Sequence, residues 1–244
     1  MTLDPYGRAI RDHYREERTE PLVQRDGAET REHPIEAFYF EAFPPEPPHA
    51  ESAWLESWLD GPLLDVGAGV GRHARYFQRQ FETVATEVSE HLVETMDERG
   101  VADARHADMF ELPEHFERDR FSSVLVIGTQ IGLTRSVRGL SAFLDDLATV
   151  TGPDGTVVLD CYDPDAAETA ELLGYRPDPT PGLAFRVMTF EYEGEVSETL
   201  LFRLFSPDRV AEAAAETDWR IEERSPDSGS YYRMALTKAE ASTA

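Results

Sequence analysis

The run Leu63-Leu64-Asp65-Val66-Gly67-Ala68-Gly69-Val70-Gly71-Arg72-His73-Ala74 restricts the fold more than any other stretch of the 244 residues. Its first four residues read as a strand buried on both faces. The alternate glycines read as a turn in which the backbone takes positive φ and approaches something closely. The residues behind the turn read as a helix whose first N–H groups have no partner within it. A strand-turn-helix unit of this kind belongs to a parallel sheet with crossover helices. The chain from residue 54 onward agrees, because short apolar runs alternate with helical stretches. That pattern predicts strands over 62–66, 82–87, 103–107, 121–127, 156–161, 219–224 and 230–237. Helices are predicted over 72–80, 89–99, 136–150 and 207–217, the last opening with Ser206 as cap and Pro207 in the first turn. Pro226-Asp227-Ser228-Gly229 is too short for a crossover helix, so the last two strands must run antiparallel.

Two segments fall outside this alternation. Pro44-Pro45-Glu46-Pro47-Pro48 can continue neither a helix nor a central strand, and it marks off an N-terminal arm, residues 1–50, from a body of residues 51–244. Within the arm, Asp4-Pro5 followed by Tyr6, Ile10 and Tyr14 predicts an amphipathic helix over 5–18. Asp26-Gly27 predicts a hairpin, and the aromatic run Phe38-Tyr39-Phe40 with Phe43 requires burial against the body or over a ligand. Within the body, alternation on both sides of Gly194 predicts an inserted hairpin over 182–206. Arm and insert are the expected lid and specificity elements, since segments over strand ends choose substrates.

Charge narrows the partners. The chain has 23 Lys plus Arg against 48 Asp plus Glu, a net charge of −25, and Lys238 is its only lysine. Carboxylates dispersed at that density repel one another until salt shortens the Debye length to about 3 Å, so a salt-rich, halophilic setting is expected. No Lys/Arg cluster lacks interleaved acid, which argues against nucleic acid. Apolar runs such as Val124-Leu125-Val126-Ile127 fall far short of the roughly 20 residues of a membrane helix, and residues 1–12 have no apolar signal core, so a cytoplasmic protein without a membrane partner is expected. The 25 aromatic residues, 13 Phe, 9 Tyr and 3 Trp, exclude disorder. Cys161 stands alone, and no His or carboxylate pair has ligand spacing, so neither a disulfide nor a metal is expected. The oligomeric state is open.

The chemistry is carried by the glycine run and by the strand ends C-terminal to it. Glu87 ends the second strand, 22 positions after Asp65, where a doubly wound fold places a carboxylate that accepts from both ribose hydroxyls. The glycines run G-x-G-x-G, and Arg72 stands after Gly71, so the dinucleotide phosphate signature is not met. In this form, Leu64 to Gly71 resembles the first motif of the class I S-adenosylmethionine-dependent methyltransferases. Val84-Ala85-Thr86-Glu87-Val88-Ser89 resembles their second-strand motif, and Ala107-Asp108-Met109 the segment that meets adenine. Thr151-Gly152-Pro153-Asp154-Gly155-Thr156 is similar to their turn into the fifth strand. The resemblance spans residues 60–160 and implies an α/β fold: a Rossmann-like, doubly wound, seven-stranded sheet with the last strand antiparallel. It implies S-adenosyl-L-methionine as cofactor, met by Asp65, Gly67, Ala68, Gly69, Glu87, Val88, Asp108, Met109 and Gly128. Independently of the resemblance, Tyr14 and the Phe38-Tyr39-Phe40 cluster of the arm are candidates to line the acceptor pocket or cover the sulfonium, the alternative being that they only cover the sheet face.

Ile127-Gly128-Thr129-Gln130-Ile131 departs from the Asn/Asp-Pro-Pro-Tyr/Phe of enzymes that methylate amide or exocyclic amine nitrogens. With the charge, this points to a small-molecule acceptor at O, N or C. A sulfonium methyl is already activated, so an in-line displacement needs alignment more than a base. Catalytic candidates at the strand ends are Gln130, Asp160, Tyr162 and Asp163, the alternative for Asp160 with Asp163-Pro164 being a turn and helix cap; His33 and His13 in the arm reach an acceptor proton only if the arm closes over the site, and His73 and Cys161 read as packing residues. The alternatives are another nucleotide-cofactor reaction on the same fold, aminopropyl or hydride transfer, and an S-adenosylmethionine-binding protein without turnover.

Overall fold

The computed structural model describes residues 3–46, 48, 50–225 and 229–239. Strands β3 (Leu63–Val66), β4 (Thr83–Glu87), β5 (Ala104–His106), β6 (Phe121–Val126), β7 (Thr151–Tyr162), β12 (Trp219–Arg224) and β13 (Tyr231–Lys238) form one sheet in the order β12-β13-β7-β6-β3-β4-β5. The first five run parallel, and β13 is antiparallel to both β7 and β12. The expected doubly wound sheet with a reversed last strand is therefore observed. Pro226, Asp227 and Ser228 of the anticipated turn lie outside the described residues, as does Pro47 of the proline cluster.

The central strands are apolar throughout because both faces are covered. Leu64, Val66, Val124, Val126, Val157 and Leu159 share a core with α6 (Val137–Val150) and α7 (Pro207–Ala214). Leu63, Leu125, Val158 and Ala235, one residue out of phase, pack on the other face against α2 (Ala50–Trp58) and Phe77 of α3 (Ala74–Phe77). Helix α4 (Glu90–Glu98), capped by Ser89, crosses from β4 to β5, and the short α5 (Leu112–His115) from β5 to β6.

Arm and insert form a second sheet. β1 (Val23–Asp26) and β2 (Glu29–Glu32) make the expected hairpin, and β8 (Tyr175–Pro177), β9 (Leu183–Tyr192), β10 (Glu195–Val196) and β11 (Leu200–Phe205) make up the insert. Strand β9 joins them: β11 and β10 follow one edge, β8 and β1 the other, with Val23 opposite Glu191. Helix α1 (Pro5–Tyr14) lies under this sheet, and Ala9, Ile10, Leu22 and Ile35 of the arm share an apolar cluster with Phe190 and Tyr192 of β9, Leu92 of α4 and Val70 of the glycine turn. The arm thus packs directly on the segment expected to hold the cofactor.

Several boundaries differ from expectation. Helix α1 ends at Tyr14 and not at 18, because Glu16 takes φ 59° and the N–H groups of Glu17 and Arg18 turn back to the Asp12 carbonyl. α3 covers four residues of the expected nine, its start delayed by Gly71 at φ 72°. β7 begins at Thr151 and carries the Gly-Pro-Asp-Gly stretch as an irregularity in its register with β6. Among the described residues, no helix is long and apolar enough to cross a membrane.

Candidate functional site

At the carboxyl end of β3 the chain turns through Gly67, Gly69 and Gly71 at φ 65°, 59° and 72°. Side chains are excluded there by contact as well as by φ: a Cβ on Gly67 would lie 2.6 Å from Gln130 Cδ, and one on Gly71 2.5 Å from Val101 Cγ2. The Ala68 N–H donates to the Thr86 carbonyl at 3.0 Å, and the Gly69 N–H to Glu87 Oε2 at 3.1 Å, which ties the turn to the end of β4. Glu87 Oε1 also accepts from the Val88 and Ser89 N–H groups at 2.8 and 3.3 Å. Burial raises the Glu87 carboxyl above the usual range, and these three donors oppose that shift.

Asp65 is 2% exposed, and burial lifts its carboxyl to about 7 against a hydrogen bond from the Ala74 backbone. Its Oδ2 has no hydrogen-bond partner. Beyond Glu87, Val88 is 61% exposed although apolar, and Phe110 is 43% exposed. Between them stand buried Met109 and Asp108, whose Oδ1 accepts from the Phe110 N–H at 2.9 Å. Two exposed apolar side chains beside a half-occupied carboxylate suit a flat heterocycle with an amino group.

At the end of β6, Gly128 and Thr129 take φ 99° and 61°, and their N–H groups donate to Asp160 at 3.0 and 2.6 Å. The Tyr231 hydroxyl donates to the same carboxylate. This clamp brings Gln130 back over the glycine turn, with Nε2 3.4 Å from the Gly67 carbonyl. Asp160, a catalytic candidate from the sequence, is fully buried, and its oxygens accept from Gly128, Thr129 and Tyr231. Tyr162, two residues further along β7, packs with its ring tilted 4.9 Å from the Tyr231 ring and keeps its hydroxyl without a hydrogen-bond partner among the described residues. Asp163 caps locally, accepting from the Asp165 N–H at 3.1 Å.

The arm reaches this site through residues other than Tyr14. The Tyr14 hydroxyl donates to the Glu98 carbonyl at 3.3 Å at the far end of α4, and its ring stacks on Phe40. Tyr39, of the expected aromatic cluster, lies at the glycine turn together with Tyr6. Their hydroxyls are hydrogen-bonded, and the Tyr39 ring lies 3.4 Å from the place of a Gly69 Cβ. Asp4 fixes α1 in register by accepting from the Gly7 N–H at 2.8 Å and from the Ser89 hydroxyl. His33 is buried; its ring nitrogens face Gln24 Nε2 at 3.0 Å and the Tyr39 hydroxyl at 3.3 Å, and burial lowers it to about 4. His13 pairs with exposed Glu36 at 2.9 Å. His73 packs edge-on against Phe43 and is lowered by burial to about 3, and buried Cys161 is pushed up to about 12. Sequence reasoning singles out neither Tyr231 nor Arg186; for Arg186 a signal exists, since it is the one charge in the row Ala184, Met188, Phe190, Tyr192. No group of three His, Cys, Asp or Glu side chains among the described residues is placed to hold a metal.

Residues 63–155 match a family model described as a methyltransferase domain. No protein of curated function matches the chain. Among solved structures, the chain is similar to a SAM-dependent methyltransferase from Bacteroides fragilis in complex with S-adenosyl-L-homocysteine, at 24% identity and TM-score 0.78 over 97% of this chain and 95% of that one. The CcbJ methyltransferase of Streptomyces caelestis is similar at 17% identity and TM-score 0.60, over 77% and 87%. An amino pentose methyltransferase from Micromonospora echinaspora is similar at 16% and TM-score 0.51, over 72% and 83%. The first match spans arm and accessory sheet as well as the main sheet. The segment that bears the glycine turn thus matches a methyltransferase domain, and it lies on a sheet with the fold of solved SAM-dependent methyltransferases.

Proposed function

We propose that the chain transfers the cofactor's methyl group to a small-molecule acceptor at the carboxyl edge of the main sheet, under the arm and accessory sheet. The observation that carries this reading is Glu87, held by three backbone N–H groups beside the glycine turn. In the proposed site Glu87 accepts from the ribose hydroxyls, Asp108, Met109 and Val88 meet the adenine, and Asp65, Gly67, Ala68, Gly69 and Gly128 shape the bed of the amino acid end. Tyr39, from the aromatic cluster expected to cover the sulfonium, and Tyr6 beside it cover the glycine bed. The bound group supplies an activated sulfonium methyl; the chain supplies alignment, exclusion of water and a wall for the acceptor. Gln130, positioned by the Asp160 clamp, and Tyr162, with its hydroxyl open, are the polar groups available to orient an acceptor.

A small acceptor is supported by the Gly128-Thr129-Gln130 sequence at the end of β6, by the net charge of −25, and by the amino pentose on which one structural relative acts. The test is a melt with S-adenosylmethionine, S-adenosylhomocysteine or NAD in excess. The sulfur nucleotides are expected to stabilise the fold by about 2.7 kcal/mol at 100 times their dissociation constants. Glu87→Ala should weaken their binding by about 1–3 kcal/mol. Stabilisation by NAD alone, or an unchanged affinity in Glu87→Ala, would refute the assignment.

A further inference from the structure

Alternation along β9 puts Ala184, Arg186, Met188, Phe190 and Tyr192 on one face, the face turned toward the body. Phe190 packs 4.6 Å from the Tyr6 ring and 5.4 Å from His33, so this row leads directly to the covered edge of the glycine turn. Arg186 is the charged member of the row. It lies opposite Phe202 of β11 and Tyr175 of β8, and its charge acts on Tyr162 and on His33. Its Nε donates to the Leu173 carbonyl at 3.1 Å and one terminal nitrogen faces Met188 Sδ at 3.7 Å. A guanidinium carries five N–H donors, so three are left without a protein acceptor.

No carboxylate of the described residues forms an ion pair with Arg186. Several other arginines of the accessory sheet are paired. Arg203, on the adjoining strand, pairs with Asp178 at 2.9 Å, and Arg25 pairs with Glu191 of β9 itself. Arg186 instead has Arg31 as its charged neighbour. A partly buried cation next to a second cation is costly unless an anion completes it.

We propose that the methyl acceptor carries a carboxylate or phosphate, and that Arg186 binds this group beside Tyr162, on the side of the accessory sheet that faces the strand ends. A planar fork of donors matches either oxyanion, and anchoring an acceptor at its charged end fixes the distance of its reactive atom from the glycine turn. The proposal rests on the methyltransferase function proposed for this chain, which places the acceptor on this edge.

The test uses the full chain saturated with S-adenosylhomocysteine and titrates benzoate, phenyl phosphate and the uncharged match benzamide at one fixed salt concentration. At least one anion is expected to bind about 10-fold or more tightly than benzamide, the worth of one charge-assisted contact, and the tighter of the two identifies the group. In Arg186→Met that preference should vanish while S-adenosylhomocysteine affinity is unchanged, and Arg186→Lys, which keeps the charge but loses the fork, should retain part of it. Equal binding of all three probes, an unaltered preference in Arg186→Met, or a loss of S-adenosylhomocysteine affinity in that variant would overturn the proposal, the last by assigning Arg186 to the cofactor. If S-adenosylhomocysteine fails to bind the wild-type chain, the functional reading falls, and the comparison of wild type with Arg186→Met is made without it.

Discussion

Asp65 offers a direct measurement of how the site stores charge. Its carboxyl is 2% exposed, accepts one backbone hydrogen bond from Ala74, leaves Oδ2 without a partner and sits near Glu87. Burial raises it from 3.8 to about 7, whereas in the unfolded chain it titrates at the ordinary value. Between those two limits the folded state holds a proton that the unfolded state has released. Stability from this group is therefore full below about pH 4 and declines as pH rises, until the folded group ionises near 7. A separation of about 3 units at 1.36 kcal/mol each gives a loss of about 4 kcal/mol across that window. Asp65→Asn keeps the shape and removes the titration. Urea melts of wild type and variant at matched salt, from pH 4.5 to 8, should show the variant gaining on wild type as pH rises, by about 4 kcal/mol at most. The subtraction cancels the other carboxylates that titrate in both proteins. A stability difference that stays flat with pH would refute the reasoning, because it would mean that Asp65 is ionised in the fold throughout.

The same geometry sets further outcomes. Asp160→Ala leaves the Gly128 and Thr129 N–H groups and the Tyr231 hydroxyl without their acceptor, so a loss of about 3 kcal/mol in a urea melt is expected, with Asp160→Asn recovering part of it. Gly67→Ala must shift Gln130 and hold alanine at φ 65°, at a cost of about 1–2 kcal/mol and with weaker S-adenosylhomocysteine binding by calorimetry. Tyr39→Phe removes the hydroxyl shared by Tyr6 and His33 and should cost about 1 kcal/mol, measured by thermal melt. With a net charge of −25, the chain should melt higher in about 3 M than in about 0.1 M KCl, since only the former screens carboxylate repulsion; the reverse order would dismiss the salt-rich setting.

The main sheet is legible in the sequence because its signals are local. Strands buried on both faces read as apolar runs, and six of the seven lie within a few residues of their expected places, β7 being the exception. There Gly152-Pro153-Asp154-Gly155 reads as a turn, while the strand absorbs it as an irregularity against β6. Helix α2 escapes the sequence pattern because its apolar Trp54 and Leu55 come shortly after the proline cluster that masks its start. The choice between Tyr6 and Tyr14 is not local. Both lie on the apolar stripe of α1, and which one meets the glycine turn is set by the contact of Asp4 with Ser89, residues 85 apart in sequence. Arg186 can be flagged by the break in alternation, but what surrounds it depends on β9 pairing with strands from both ends of the chain.

That pairing also changes what the arm can do. A lid that swings away as a unit would have to separate β1 from β9, Asp4 from Ser89, and Ile10, Leu22 and Ile35 from Val70, Leu92, Phe190 and Tyr192. Re-exposing three fully buried aliphatic side chains at about 1.5–3 kcal/mol each comes to about 5–9 kcal/mol, comparable to the whole stability of an ordinary domain. Such an opening would be populated at about 10⁻⁴ or less. The segment with less to lose is the π-helical turn Glu36–Phe40, none of whose residues is fully buried and whose Phe38 is 53% exposed. It carries Tyr39, the ring that lies on Gly69, and its amides are expected to exchange hydrogen faster than those of α1 and the β1–β9 ladder; equal protection would refute this ordering.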